Sequence, residues 1–471
     1  MLRVLGGQTR LCDSMTRRDL MQVGSLSLFG EMVMPRLLRA AAASNTGPAR
    51  AESILLFNLL GGPSHMDMFD MKPQAPREIR GEFQPIETSV PGIAICEHLP
   101  NVARLMHKAT LIRTITHDYN SHDPLPIMTG FTDGDPRLPA QPTDPPDIGA
   151  ICQYLGMGSR DLPGAVCLPS FPGSGQNYVR GGPYGGFLGS QYDPLFSVCD
   201  PTFAREPSME HYDPVMPLGE PHMPALDALP EVTVDRFDKR RSVLDQLDQE
   251  FERVRQASTL ERMDKYQSRA FAILRSTKTR EAFDLTLENA ATRDQYGRNL
   301  FGSSMLVARR LVERGVPFVS VHQEIFKHYG HAYDMHQNNF KMLKGMNLPL
   351  LDQVVPAVVQ DLEDRGLLEK TLVIIMGEMG RTPRINSVAG RDHWPQCGFS
   401  LLFGGGLKQG YVHGASDKHA MWPDRHPVPV ADFVATLYAL LGIDPHMKVY
   451  DRQGRPVAIA QGGEPVLDLL A

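Results

Sequence analysis

Apolar residues along the chain fall into two alternating patterns, short continuous runs and longer stretches of helical character. The continuous runs predict strands buried on both faces, at 53–60, 109–115, 317–323, 371–377 and 399–403. The longer stretches predict helices, at 97–108, 302–316, 349–365 and 430–441. Because helices and strands alternate, the pattern predicts an α/β domain with a mostly parallel sheet flanked by helices.

Two regions depart from this alternation. Residues 131–230 are rich in proline, glycine and aromatic residues, and we expect them to form a loop-rich insertion or cap. Residues 233–285 are charged and have a helical period, which predicts two long helices. Both regions belong to one α/β domain that we expect to span 50–471.

The start of the chain has the features of an export signal. Arg17 and Arg18 precede a short, weakly apolar run of Gly, Ser and Leu, and small residues follow before position 44. This predicts a twin-arginine signal at 1–44, with the Tat translocation machinery as a partner during export. The alternative is a basic amphipathic helix of the mature fold, because Glu31 and Arg36 interrupt the apolar run. Export predicts a periplasmic or extracellular protein.

The amino-acid composition indicates which classes of partner, nucleic acid or membrane, are not expected. The formal net charge is −6 and the pI is about 6.2, so nothing indicates a basic nucleic-acid surface. No later stretch is long and apolar enough to predict a stable membrane span. The six cysteines contain no C-x-x-C pair, which favours neither a zinc ribbon nor a dense disulfide scaffold.

Carboxylates and imidazoles follow four of the predicted strands, at the sheet edge where open α/β folds bind ligands. These polar residues are Ser64, His65, Asp67 and Asp70 after the first strand, His117, Asp118, Asn120 and His122 after the second, His322, His328, His331, Asp334 and His336 after the third, and Glu378, Arg381, Asp392 and His393 after the strand at 371–377. Their convergence predicts a metal site. Mixed carboxylate and imidazole ligands suit Zn²⁺, Mn²⁺, Mg²⁺ or Ca²⁺.

Taken alone, each group also has an ordinary structural explanation. A loop hydrogen bond accounts for Asp334 with His336, and an ion pair accounts for Glu378 with Arg381. Ser64 is equally explained as a turn residue. The metal hypothesis therefore depends on whether the strand ends bring these groups together.

Several long motifs resemble one family. They are GGPSHMDMFDMKP, FGSSMLVARRLVERGVPFVSV, YDMHQNN, TLVIIMGEMGRTPRIN and GRDHWP. The chain resembles the domain-of-unknown-function 1501 family over nearly everything after residue 50. This resemblance implies an exported protein with an alkaline phosphatase-like three-layer sandwich, related to the alkaline phosphatase and sulfatase superfamily.

The resemblance also implies metal ligands on the loops that follow the strands. Carried onto this chain, the implied ligands are Asp67, Asp334, His336, Glu378 and His393. Asp392, which precedes His393 after the same strand, completes the predicted set of metal ligands. A formylglycine sulfatase would also need C-x-P-x-R or S-x-P-x-R soon after the first strand. The nearest strings, CLPSF from Cys167 and CDPTF from Cys199, end in Phe and lie far from that strand. Standard sulfatase chemistry is therefore not expected.

These observations predict an exported, metal-dependent hydrolase of phosphate or sulfate esters, on a small molecule or a polysaccharide. Ser64 is the hydroxyl in the first strand-end loop and is the predicted nucleophile. Arg381 is predicted to neutralise the anionic ester, and His122 to act as acid or base. The alternative is a non-catalytic phosphatase-like fold that binds glycan or cell-envelope components, favoured by the lack of a clear nucleophile.

Overall fold

The structure is a computed structural model that describes residues 48–159, 161–208, 212–223, 276–326 and 332–471. The predicted export signal lies outside these ranges, as does most of the region predicted to form two long helices. His328 and His331 lie outside them as well.

A single sheet of nine strands runs through the described residues. The strands are β1 (Ser53–Asn58), β2 (Ala109–Thr116), β3 (Ala165–Leu168), β4 (Leu195–Phe196), β5 (Phe318–His322), β6 (Thr371–Met376), β7 (Gly398–Phe403), β8 (Tyr411–His413) and β9 (Val428–Pro429). Their order across the sheet is β8-β2-β7-β6-β1-β5-β3-β4, and β9 also pairs with β2. Only β7 runs antiparallel to its neighbours, β6 and β2.

Helices cover both faces of this sheet. The face that carries Leu55 and Phe57 packs against α1 (Pro100–Leu105), α4 (Leu300–Glu313) and α5 (Leu348–Asp364). The opposite face packs against α2 (Leu125–Thr129), α3 (Ile148–Tyr154) and α6 (Val430–Leu440). Shorter helices lie at His65–Met68, Arg77–Arg80, Thr277–Phe283, Ala290–Tyr296 and Asn339–Met342.

The central strand β1 shows why the sequence folds in this way. Leu55 and Phe57 point into one core, whereas Ile54 and Leu56 point into the other, because successive residues of a strand face opposite sides. Each of these four side chains is buried, and full burial of such a side chain contributes about 1.5–3 kcal/mol. A continuous apolar run is therefore what a strand between two helix layers requires.

Within the described ranges, five two-stranded ribbons surround the sheet. They are Pro85–Glu87 with Ala94–Cys96, Thr202–Phe203 with Pro217–Leu218, Gly380–Arg381 with His393–Trp394, Ala415–Ser416 with Pro423–Arg425, and Lys448–Tyr450 with Pro456–Ala458. Among the described residues, no helix is long and apolar enough to cross a membrane.

The predicted architecture, a mostly parallel sheet between two layers of helices, is confirmed. All five predicted strands and all four predicted helices form within a few residues of their expected bounds. The region at 131–230 is less loop-like than expected, because it supplies α3, β3 and β4 and so extends the sheet. The apolar runs of these strands are only two to four residues long, which is too short to predict a strand.

Candidate metal centre

Four strands deliver polar loops to the same edge of the sheet. Strands β1, β5 and β6 are adjacent and parallel, and β2 runs in the same direction because the antiparallel β7 separates it from β6. Their carboxyl ends therefore lie together. The side chains that converge there come from the loops after β2 and β5, and from the ribbon strand His393–Trp394 beyond β6.

Three histidines and one aspartate meet at this edge. Ligand atoms of His122, Asp334, His336 and His393 all lie within 4.8 Å of one another. The Nε2 atoms of His122 and His336 are each 3.1 Å from Asp334 Oδ1, and that of His393 is 3.7 Å away. This group, called the His₃Asp cluster below, offers three imidazole nitrogens and one carboxylate oxygen to a single point.

The other ring nitrogen of each histidine is held by an oxygen. Nδ1 of His122 lies 2.8 Å from Glu378 Oε1, and Nδ1 of His336 lies 2.7 Å from Asp392 Oδ1. Nδ1 of His393 lies 3.1 Å from Asn120 Oδ1. Since oxygen accepts, each Nδ1–H donates and each Nε2 is left with a lone pair directed into the cluster.

This arrangement fits a metal ion. Histidine ligands of metals usually donate their second ring N–H to a carboxylate or carbonyl, which fixes the ring orientation. In addition, Nε2 of His122 is buried and makes no hydrogen bond within the part of the chain that the structure describes, although Asp334 Oδ1 lies 3.1 Å away and attracts it electrostatically. Such an unpaired buried atom is costly unless a ligand satisfies it. The His₃Asp cluster could therefore hold a metal, and the four residues named here would be its ligands.

The charges around the cluster perturb its pKa values. Burial alone would lower the pKa of His122, but contacts with Asp334 and Glu378 outweigh burial and raise it. Burial would raise the pKa of Asp334, yet His122, His336 and His393 hold it far below its usual range. The Asp334 carboxylate raises the pKa of His336, whereas burial lowers the pKa of His393. Clustered opposing shifts of this kind are typical of functional sites.

Arg381 lies beneath the cluster and contacts its carboxylate. Its Nη2 donates to Asp334 Oδ1 at 2.7 Å, and its other N–H groups donate to the carbonyl oxygens of Gly61, Gly62 and Arg391. The side chain is almost completely buried. In this conformation Arg381 positions Asp334 rather than facing a substrate in solvent.

Gly61 joins the loop after β1 to the same assembly. Its N–H donates to both carboxylate oxygens of Glu378, at 2.9 and 3.2 Å. Its φ of +103° favours glycine, and a Cβ there would lie 2.3 Å from the backbone nitrogen of Asp334. Glycine is thus required at position 61 so that the loop after β1 can lie against both Asp334 and Glu378.

The remaining predicted residues lie around the cluster. Glu378 and Asp392 hold the rings of His122 and His336, and are not in the group whose ligand atoms converge. Asp67 is buried in an ion pair with Arg391 at 2.7 Å. Its carboxylate also accepts the side-chain N–H of Asn339. Asp67 is therefore satisfied by protein groups.

Ser64 is completely buried, and its hydroxyl has no hydrogen-bond partner within the described structure. In this conformation a substrate arriving from solvent does not reach it.

One functional role was not predicted from the sequence: Asn120 orients the ring of His393. Asn120 lies two residues before His122 in the same polar loop, and this position is the sequence signal that could have indicated its role.

The fold and the site define an α/β protein with a candidate metal centre at the carboxyl edge of its sheet. A family model described as "Protein of unknown function (DUF1501)" matches residues 51–470. The chain belongs to this family.

Several solved structures resemble the chain at low identity. Ps i-CgsB in complex with k-i-k-neocarrahexaose is 13% identical, with 83% of this chain and 72% of that chain covered and a TM-score of 0.38. The PsFucS1 sulfatase from Pseudoalteromonas sp. is 12% identical, with 87% and 72% covered and a TM-score of 0.34. A protein in complex with its substrate D-glucosamine-2-N,6-O-disulfate is 13% identical, with 89% and 82% covered and a TM-score of 0.36. At these TM-scores the likenesses carry no argument about activity.

Proposed function

We propose that the protein is a metal-dependent hydrolase of phosphate or sulfate esters that works outside the cytoplasm. One observation carries the proposal: three Nε2 atoms and one carboxylate oxygen converge within 4.8 Å, and an oxygen holds the opposite nitrogen of every ring. A structural group on the protein surface would not need each ring to be oriented in this way.

The donor set favours some metals over others. Imidazole nitrogens suit zinc and other first-row transition metals, whereas Mg²⁺ and Ca²⁺ prefer sites built from oxygen. With three nitrogens and one oxygen in the His₃Asp cluster, Zn²⁺ is the best match among the four ions that the sequence suggests, because Mn²⁺ also favours oxygen ligands. A bound ion of this class would supply Lewis-acid polarisation of an ester oxygen and a lower pKa for water.

The protein groups supply positioning and charge. Glu378, Asp392 and Asn120 fix the ring orientations, so the ligand atoms are directed before any ion arrives. Within the four ligands, a divalent ion and the single carboxylate of Asp334 would leave one positive charge, which would face an anionic ester. Arg381 contacts Asp334 from below and offsets part of the negative charge of the surrounding carboxylates.

The nucleophile that we propose is water rather than Ser64. The Ser64 hydroxyl is enclosed, whereas His336 and Asp392 at the rim are both exposed to solvent. Asp392 is already hydrogen-bonded to His336, so it is the carboxylate that we assign to proton exchange between the site and solvent.

The test is metal reconstitution of the purified full chain followed by an ester screen. Protein stripped with a chelator and reloaded with Zn²⁺, Mn²⁺, Mg²⁺ or Ca²⁺ is assayed on phosphate and sulfate esters of sugars and of simple alcohols. We expect hydrolysis with a transition metal, and loss of both metal and activity in His393→Ala. Lys448→Ala, which removes an exposed cation from a distant ribbon, is the control.

Two other results would contradict the proposal in different ways. A chain that binds no metal under any condition would remove its basis. A chain that binds metal and glycan but hydrolyses no ester would instead favour the non-catalytic binding protein that the sequence also suggests.

A further inference from the structure

Both tryptophans of the chain stand together beside the His₃Asp cluster. The sequence contains two tryptophans, Trp394 and Trp422, and their ring centroids are 5.2 Å apart with the planes at 69°. The indole N–H of Trp394 donates to the carbonyl oxygen of Met421 at 2.6 Å. Trp422 is 48% exposed. Nearly half of this residue faces solvent beside a second indole, and contiguous exposed apolar surface often marks a binding site.

The ribbon that carries His393 links this pair to the cluster. Trp394 follows His393 directly, and the opposite strand pairs Gly380 with Trp394 and Arg381 with His393. Because successive strand residues point to opposite faces, Trp394 stands on the far side of the ribbon from the imidazole. The two tryptophans therefore flank the cluster instead of lining it.

The loop that presents Trp422 is rigidly held. The Asp417 carboxylate accepts the backbone N–H groups of His419 and Met421, at 2.8 and 3.0 Å, and the Asp417 N–H donates to the carbonyl of Trp422 at 2.8 Å. The buried ring of His65, which follows β1, donates to the carbonyl of Ala420 at 2.8 Å. Burial lowers the pKa of His65, so this ring is a neutral donor. A surface fixed in this way loses little entropy when it binds a ligand.

We propose that Trp394 and Trp422 form a stacking surface for a sugar ring of the substrate. This inference rests on the proposed function and identifies the molecule that carries the phosphate or sulfate ester as a sugar. An indole offers a flat apolar face that matches the C–H face of a pyranose ring, while its edge remains polar. The exposed residues Lys418, Asp424 and Arg425 are close in sequence to Trp422 and supply donors and acceptors for sugar hydroxyls.

A nucleobase would also stack on an indole, but the charges beside Trp422 do not suit nucleic acid. The exposed side chains there carry both signs, Lys418 and Arg425 against Asp424, whereas a channel for single-stranded nucleic acid is positively charged along its length. The position of the two tryptophans relative to the His₃Asp cluster indicates the length of the substrate. Since the tryptophans flank the cluster across the ribbon, they engage a neighbouring sugar and not the ring that carries the ester. The inferred substrate is thus an oligosaccharide or polysaccharide ester.

Intrinsic fluorescence tests this directly, because both tryptophans of the chain belong to the proposed surface. Metal-loaded full-length protein is titrated with desulfated hexasaccharides of carrageenan, chondroitin and fucan type, and with adenosine monophosphate. We expect a saturable fluorescence change with at least one hexasaccharide. Trp422→Ala should weaken that affinity about tenfold, as loss of one stacked ring generally does, and leave metal content unchanged. Tyr450→Ala removes an exposed aromatic from another ribbon and should bind like the wild type.

Several outcomes would overturn the inference. These are no binding of any hexasaccharide, equal affinity in Trp422→Ala and the wild type, or tighter binding of adenosine monophosphate than of every sugar. Desulfated sugars carry no ester, so their binding is measured independently of hydrolysis. If they bind and no ester is ever cleaved, the hydrolase proposal fails and the stacking surface stands. If esters are cleaved and no sugar binds, the stacking surface fails alone.

Discussion

The Nε2 atoms of His336 and His393 lie 3.0 Å apart, although neither ring takes its orientation from the other. His336 is held by Asp392 and His393 by Asn120. Two lone pairs at this distance repel unless a proton or a cation lies between them. The Asp334 carboxylate raises the pKa of His336, whereas burial lowers the pKa of His393. Binding of a metal ion by both rings would require both Nε2 atoms to be free of protons.

Removal of either histidine should therefore abolish stoichiometric metal binding. We expect His336→Ala and His393→Ala each to lose metal, and the double variant to lose little more, because one missing ligand already leaves the coordination incomplete. Elemental analysis after dialysis measures the metal. Additive partial losses in the two single variants would show that the residues do not share an ion.

Glu378 should influence metal affinity without being a ligand. Its carboxylate holds Nδ1 of His122 and accepts the Gly61 N–H. Glu378→Ala is expected to weaken metal affinity about 10–100-fold, the usual cost of losing a group that orients a ligand. Competition with a fluorescent chelator measures the affinity. The exposed Glu464→Ala is the control, and a complete loss of metal in Glu378→Ala would instead indicate direct ligation.

Asp67 should be a stability residue. Arg391 is completely buried and its guanidinium makes two contacts of 2.7 Å with the Asp67 carboxylate. Asp67→Ala leaves that cation unpaired, and breaking such a buried pair costs about 3–5 kcal/mol. We expect a lower unfolding midpoint in urea, with the metal content of the folded fraction unchanged. Normal stability together with lost metal would return Asp67 to the ligand set.

Asp147 gives the fold a pH dependence. It caps α3 by accepting the Ala150 N–H at 2.6 Å, and burial raises the pKa of its carboxyl to about 8. Between the ordinary pKa and about 8, the folded state holds a proton that the unfolded state has released, so stability falls as pH rises. The slope is at most about 1.4 kcal/mol per pH unit. Urea unfolding measured at several pH values from 5 to 8 gives the free energy of unfolding as a function of pH. This free energy should fall less steeply with pH for Asp147→Asn than for the wild type, and an identical dependence on pH would refute the prediction.

Export can be tested without the structure. Arg17 and Arg18 form the paired arginines of the predicted signal, and the translocation machinery reads that pair. We expect the double change to Lys to retain the protein in the cytoplasm, as measured by cell fractionation. Normal secretion of the double-Lys variant would refute twin-arginine export.

The sequence predicted the sheet well because its central strands are buried on both faces. The run that contains Leu55 and Phe57 is short and ends at Gly61, which favours a covered strand over a helix, and its register follows from its parallel neighbours. The loops were harder to interpret. Asp67 and Asp334 both follow strands, yet one faces Arg391 and the other faces three histidines. Arg391 is 324 residues away from Asp67, and nothing local to Asp67 indicates that this arginine is its partner.

The order in which the ligands occur along the chain has a consequence for biosynthesis. His122 precedes Asp334 and His336 by more than 200 residues, and His393 follows them at a further distance along the chain. A nascent chain therefore cannot assemble the complete set until His393 has been synthesised. Any stabilisation that an ion gives by linkage would then be available only to chains that extend beyond His393, so metal loading would distinguish them from chains truncated before it.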